Sequence, residues 1–204
     1  MPVVDYHNLI SLVFLHMLAV ASPGPDFMIV VKQSIQNGRK SGILTSIGIG
    51  SGLLIHCIFA LTVLTSILHF FPEFLIVLKI VSVSYLLFMA YGCFRSKPAT
   101  DQVNEQSSVG KSFWIGFFTN ITNPKVIIYI TVIFANIANQ YPIAILVGFS
   151  TYISLQTIAW FILVSYLFCH AKTRQIYLTF QRKIDITMGL LLIFISIRIL
   201  FTSL

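Results

Sequence analysis

The chain has 204 residues, of which 57% are hydrophobic and only 9% charged, with a formal net charge of +7 and a mean hydropathy of +0.90. Water-soluble domains spend about 25% of their residues on charge, so this composition excludes a soluble fold and points to an integral membrane protein. The basic residues are dispersed over short loops, which sets aside a nucleic-acid partner.

A membrane-spanning helix needs about 20 mostly apolar residues, and the sequence predicts six. They cover Leu9–Val31, Ile43–Phe70, Phe74–Phe94, Phe113–Ile137, Ile143–Cys169 and Ile184–Phe201. The first Lys or Arg is Lys32. The opening segment therefore lacks the basic start of a secretory signal and reads as a permanent span. Within it lies SPGPDF, Ser22 to Phe27. Proline has no backbone N–H, so Pro23 and Pro25 free the carbonyls of Ala19 and Ala21, and each pushes the residue before it, Ser22 and Gly24, out of the α region.

The second span carries Gly48, Gly50, Ser51 and Gly52, a small-residue pattern that lets helices approach closely. A polar stretch, Arg95 to Lys111, separates the third span from the fourth. The fourth is interrupted in its turn. In FTNITNPKVIIYI, Phe118 to Ile130, Pro124 frees the carbonyl of Asn120 and pushes Asn123 towards extended geometry. Pro25 and Pro124 are 99 residues apart, close to half the chain.

Ten of the 13 Lys and Arg fall in the loops after spans one, three and five. Positive loops stay cytoplasmic, which places both termini outside. Spans one and four then run in opposite directions, each opening a three-helix half with a broken helix. This pattern marks an inverted-repeat transporter: an all-α membrane domain of six helices in two inverted repeats, about 1–96 and 112–204, with helices one and four broken. Irregular backbone at that depth has to be buried in protein or line a cavity.

Asp26 and Lys125 accompany the breaks. Each costs about 2.5–3.5 kcal/mol at a helix centre on an insertion scale, so an intramembrane charge is a candidate functional group. With the break residues Ser22, Pro23, Gly24, Pro25 and Pro124, and the polar Asn120, Thr122 and Asn123, they form the candidate substrate site. Freed carbonyls and half-helix ends at the breaks can ligate a charged solute there. Asp26 is also the candidate proton carrier, with His16 and His56 as alternatives; a satisfied hydrogen-bonding role is the plainer account of both histidines. Tyr85, Tyr91, Tyr129 and Trp160 are candidate cavity-lining aromatics. Cys57, Cys93 and Cys169 lie in separate apolar segments without metal spacing, and read as small packing residues. No metal or cofactor is implied.

SPGPDF, NGRKSG (Asn37 to Gly42), GFFTNITNPKVIIY (Gly116 to Tyr129) and KIDITMG (Lys183 to Gly189) resemble the LysE/RhtB amino-acid exporter family of bacteria, in order along essentially the whole chain. With TIAWF (Thr157 to Phe161), the pattern is most similar within that family to threonine efflux proteins. The resemblance implies export of threonine, homoserine or a related small amino acid across the bacterial inner membrane, driven by the proton gradient, with the amino acid's ammonium on Asp26 and its carboxylate on Lys125 and Asn123. The family often carries Asn or Asp after P-G-P, and Asp26 matches the second form. Two other readings compete: a membrane-embedded enzyme, which lacks a cluster of His and acids here, and a helical assembly or channel subunit without its own substrate. Association into a homo-oligomer stays open.

Overall fold

The computed structural model describes residues 6–22, 24–64, 70, 73–95, 109–138 and 140–201. A backbone surrounded by apolar side chains satisfies its N–H and C=O groups most simply within a helix. All regular structure among the described residues is helical. In chain order the elements are α1 (Tyr6–Ala21), α2 (Pro25–Phe59) running into a π-helical turn (Ala60–Leu64), α3 (Phe74–Arg95), a 3-10 turn (Val109–Lys111), α4 (Ser112–Ile121), α5 (Pro124–Ile137), α6 (Ile143–Phe168) and α7 (Ala171–Phe201).

The two expected breaks are present. α1 ends at Ala21 and α2 begins at Pro25; α4 and α5 are separated by Thr122 and Asn123, and the pair bends by 60°. Pro23 lies outside the described residues, as do most of the 95–111 connection and Phe71–Pro72.

α2 is itself folded. Gly38 has φ 80° and ψ 174°, a left-handed value that glycine adopts without a Cβ clash. A Cβ on Gly42 would come within 2.1 Å of Ser34 Oγ. Eight residues of straight helix span about 12 Å, so this proximity means that the chain doubles back at Gly38. The polar loop expected after the first span is thus little more than one non-helical residue.

The far arm of α2 packs on α4 with almost no side chain between them. A Cβ on Gly48 would stand 2.0 Å from the carbonyl oxygen of Phe113, and one on Gly116 2.1 Å from that of Thr45. Gly50 makes similar room for Ile158 of α6. The small-residue pattern therefore packs α2 against α4 and α6.

One apolar core joins Leu12, Leu53, Ile130, Phe134, Phe149 and Ile153 from α1, α2, α5 and α6. A second joins Val20, Val30, Ile49, Phe161 and Val164. Cys57 and Cys93 pack as buried residues. α3 pairs with α7, where Phe94 sits over Gly189. Large apolar side chains such as Ile10, Phe14, Phe88, Trp114 and Phe194 are more than half exposed, as a lipid-facing surface requires.

By length and composition two helical segments among the described residues can cross a membrane, Pro25–Val63, which turns back at Gly38, and Ile143–Phe168; the bent pair Val109–Ile121 with Pro124–Ala135 makes a third if it is one span. α7 begins at Ala171, well before the expected Ile184. The segment from Lys172 to Lys183 contains no proline or glycine to stop a helix, and Arg182 anchors it by donating to the carbonyl of Phe94 at 2.6 Å.

Candidate functional site

The second helix of each broken pair starts in the same way. An N-cap residue with extended ψ precedes proline at the first helical position, and an ionisable residue stands at the second: Gly24-Pro25-Asp26 in α2 and Asn123-Pro124-Lys125 in α5. Proline suits that position because its missing N–H would have no intrahelical partner anyway. Asn123 Oδ1 accepts the backbone N–H of Lys125 at 3.1 Å and caps α5. Asp26, an anion in the first turn of α2, is favoured by the helix dipole, whereas Lys125 stands at the wrong end of its own helix.

Lys125 resolves this by reaching across to α1. Its ammonium donates to the carbonyl oxygen of Ser22 at 2.9 Å and also to Ser22 Oγ. A cation thereby caps the C-terminus of α1, where the dipole favours it. The other break is capped likewise. His56 Nε2 donates to the carbonyl of Asn120 at 3.2 Å; a carbonyl only accepts, which fixes the proton on that nitrogen. The side chain of Asn120 donates through Nδ2 to Asp26 Oδ2 at 2.8 Å. Gly52 makes room for Asn120, since a Cβ there would stand 2.9 Å from Asn120 Oδ1.

These contacts correct one expectation. Two of the carbonyls released by proline, those of Ala19 and Asn120, are already used by the protein. Asn120 O accepts from the Asn123 backbone N–H at 3.0 Å as well as from His56, and Ala19 O accepts Ser22 Oγ at 2.8 Å. The valence left over is on a side chain. Asp26, 8% exposed, has a buried Oδ1 without a hydrogen-bond partner. Lys125 is 7% exposed.

Ser22, Gly24, Asp26, Asn120, Asn123 and Lys125 all line one narrow cavity. Of the other candidates, Pro25 and Pro124 are exposed and shape the backbone without lining it, and Thr122 is exposed, its hydroxyl turned back to Phe118 O at 2.7 Å. His16 is fully buried beside the cavity, with Nε2 hydrogen-bonded to Thr157 Oγ1 at 3.0 Å. Among the aromatic candidates Tyr129 lines the cavity; Tyr91 is 54% exposed, and the side chain of Tyr85 lies outside the described residues. Thr157 and Phe161 also line it and were not singled out as site residues from the sequence. The signal for them was a polar stripe, Ser150, Ser154, Thr157 and Ser165, spaced by helical turns in an otherwise apolar span. The free space is about 10 Å³, enough for roughly one water. As it stands the cavity is too small to hold an amino acid.

The family model for the LysE type translocator matches residues 17–203. The chain belongs to the LysE type translocator family. It is 30% identical to the threonine efflux protein of Salmonella typhi over 182 residues, covering 86% of this chain and 88% of that protein. It is 28% identical to the threonine efflux protein of Escherichia coli strain K12 over 183 residues, with 86% and 89% covered. A more distant relative is the cysteine/O-acetylserine efflux protein of Salmonella choleraesuis, 25% identical over 191 residues, with 91% and 93% covered. No solved structure matches the chain significantly. As a member of this family the protein is a translocator.

Proposed function

We propose that the protein is a carrier, not an enzyme, that exports threonine, homoserine or a related small amino acid across the bacterial inner membrane. Its scaffold is six membrane-spanning helices in two inverted repeats, about 1–96 and 112–204, with both termini periplasmic. Asp26 holds the substrate ammonium. Lys125 and Asn123 hold the carboxylate, with Lys125 leaving Ser22 to do so. Proton entry drives export, because substrate ammonium and proton compete for the Asp26 carboxylate.

One observation carries this reading: the two helix breaks meet, and put a buried carboxylate with an open oxygen beside a buried ammonium. A zwitterion offers the complementary pair, and each charge-assisted bond is roughly twice as strong as a neutral one. The exchange of caps between halves supports the inverted repeat, since Lys125 caps the break at Ser22 and His56 the break at Asn120. The closed cavity must widen to take an amino acid, as alternating access demands.

Efflux of labelled threonine from preloaded cells, with and without expression, tests the proposal. Faster efflux on expression, abolished by collapsing the proton gradient, is the expected result. Efflux indifferent to expression for every small amino acid removes it.

A further inference from the structure

The charged end of the cavity answers the ammonium and carboxylate that every amino acid shares. Selection among amino acids has to come from the rest of the wall, which is aliphatic and aromatic apart from Tyr129 and Thr157. Thr157 behaves unlike most hydroxyls in this protein. Thr45, Ser46, Thr119, Ser150 and Thr151 each donate to the carbonyl one turn back on their own helix, the usual way to satisfy a hydroxyl in an apolar span. Thr157 instead pairs across to His16, on α1, at 3.0 Å. Thr157 is 98% buried and lines the cavity.

A threonine hydroxyl has one donor and two acceptor sites. The His16 bond uses one and fixes the rotamer, leaving capacity for a hydrogen bond into the cavity. His16 itself is completely buried, with its ring 5.6 Å from that of Tyr129. An imidazole placed there at the cost of desolvation orients a hydroxyl that would otherwise close on its own helix.

We propose that Thr157, oriented by His16, reads the side-chain hydroxyl of the transported amino acid and so selects small hydroxy amino acids over their apolar isosteres. The inference rests on the amino-acid exporter reading. Thr157 is the specificity-determining residue and His16 a positioning residue acting through it. Valine is the discriminating probe, because it replaces the hydroxyl of threonine by a methyl of nearly the same volume.

The test is counterflow in proteoliposomes of the purified full chain, with labelled threonine and labelled valine measured in parallel. Wild type should prefer threonine. Thr157→Val should lower the threonine-to-valine ratio at least about 10-fold, while Thr157→Ser holds it within about 3-fold. His16→Leu should also lower the ratio, and His16→Gln, which restores a polar nitrogen near the Nε2 position, should recover part of it. A purely structural role would change rates and leave the ratio alone. If Thr157→Val is inactive, the His16→Leu and His16→Gln ratios decide alone. An unchanged ratio in active variants, or a wild type indifferent between the two substrates, overturns the inference while leaving the exporter reading standing. A wild type that moves no amino acid at all removes both.

Discussion

Asp26 is held by geometry that uses half of it. Oδ2 takes the Asn120 amide and Oδ1 stays open, so the carboxylate is both fixed in orientation and still able to bind. Asp26→Asn preserves size and the ability to accept from Asn120 but removes the charge and the titratable proton. It is expected to exchange threonine weakly, with affinity reduced at least about 10-fold by loss of the charge-assisted bond, and to lose accumulation driven by an imposed pH gradient. One proton entering down 100 mV supplies about 2.3 kcal/mol, which an uncoupled carrier forfeits. Proteoliposome transport with and without a pH gradient measures both effects, and full pH-driven accumulation by the variant would take Asp26 out of the coupling role. Asp26 and Lys125 stood out in the sequence as candidates because a charge in an apolar span is costly whatever surrounds it. Their partners were not. That Lys125 turns to Ser22, and that His56 takes the Asn120 carbonyl, depends on residues more than 60 positions away.

Between elements, α2 and α4 approach each other closely. Gly48 and Gly116 allow backbone to meet backbone there, and the single hydroxyl proton of Thr45 is shared between Ser41 O on its own helix at 2.9 Å and Ser112 O across the seam at 3.2 Å. Asn120 sits at the far end of this contact, so the seam sets the depth of the candidate site. A side chain at Gly48 would meet backbone atoms at 2.0 and 2.8 Å, and backbone cannot rotate away as a flexible side chain can. Gly48→Val is expected to destabilise the protein by about 1–3 kcal/mol or more, lowering its melting temperature in detergent and weakening transport. Gly92→Ala is the control, since nothing lies within 4 Å of its missing Cβ. Equal melting temperatures for the two variants would refute the seam. The GIGSG stretch announced close packing but not its partner. The proline breaks were legible because Pro chemistry acts locally. That the reversal after the first span is confined to Gly38, and that α7 starts early, were not, because polar loop composition looks alike whether it ends a helix or merely solvates one.

Over the whole molecule, charge and contact agree on two distinct ends. At one, the Gly38 turn meets α4 and α6: Ser41 Oγ accepts from Ser112 Oγ at 3.1 Å, and the Arg39 guanidinium lies 4.4 Å from the centre of the Tyr166 ring. Arg182, the twelfth residue of α7, caps α3, and α7 follows directly on α6. At the other, Asn8 Nδ2 donates to Gln140 Oε1 at 3.2 Å, joining the start of α1 to the turn before α6. Basic residues gather at the first end, and short loops rich in Lys and Arg are retained in the cytoplasm. That end is therefore expected to face the cytoplasm, with the start of α1 facing the periplasm. Single cysteines at Lys40, Gln102 and Ser203, in a background with Cys57, Cys93 and Cys169 replaced by serine, check it with a membrane-impermeant thiol reagent on intact spheroplasts. Ser203→Cys should label before lysis, and Lys40→Cys and Gln102→Cys only after it. The reverse pattern would invert the carrier and make the basic end the exit. Labelling of Ser203→Cys and Gln102→Cys together from outside would break the odd number of crossings between them, and with it the second three-helix half.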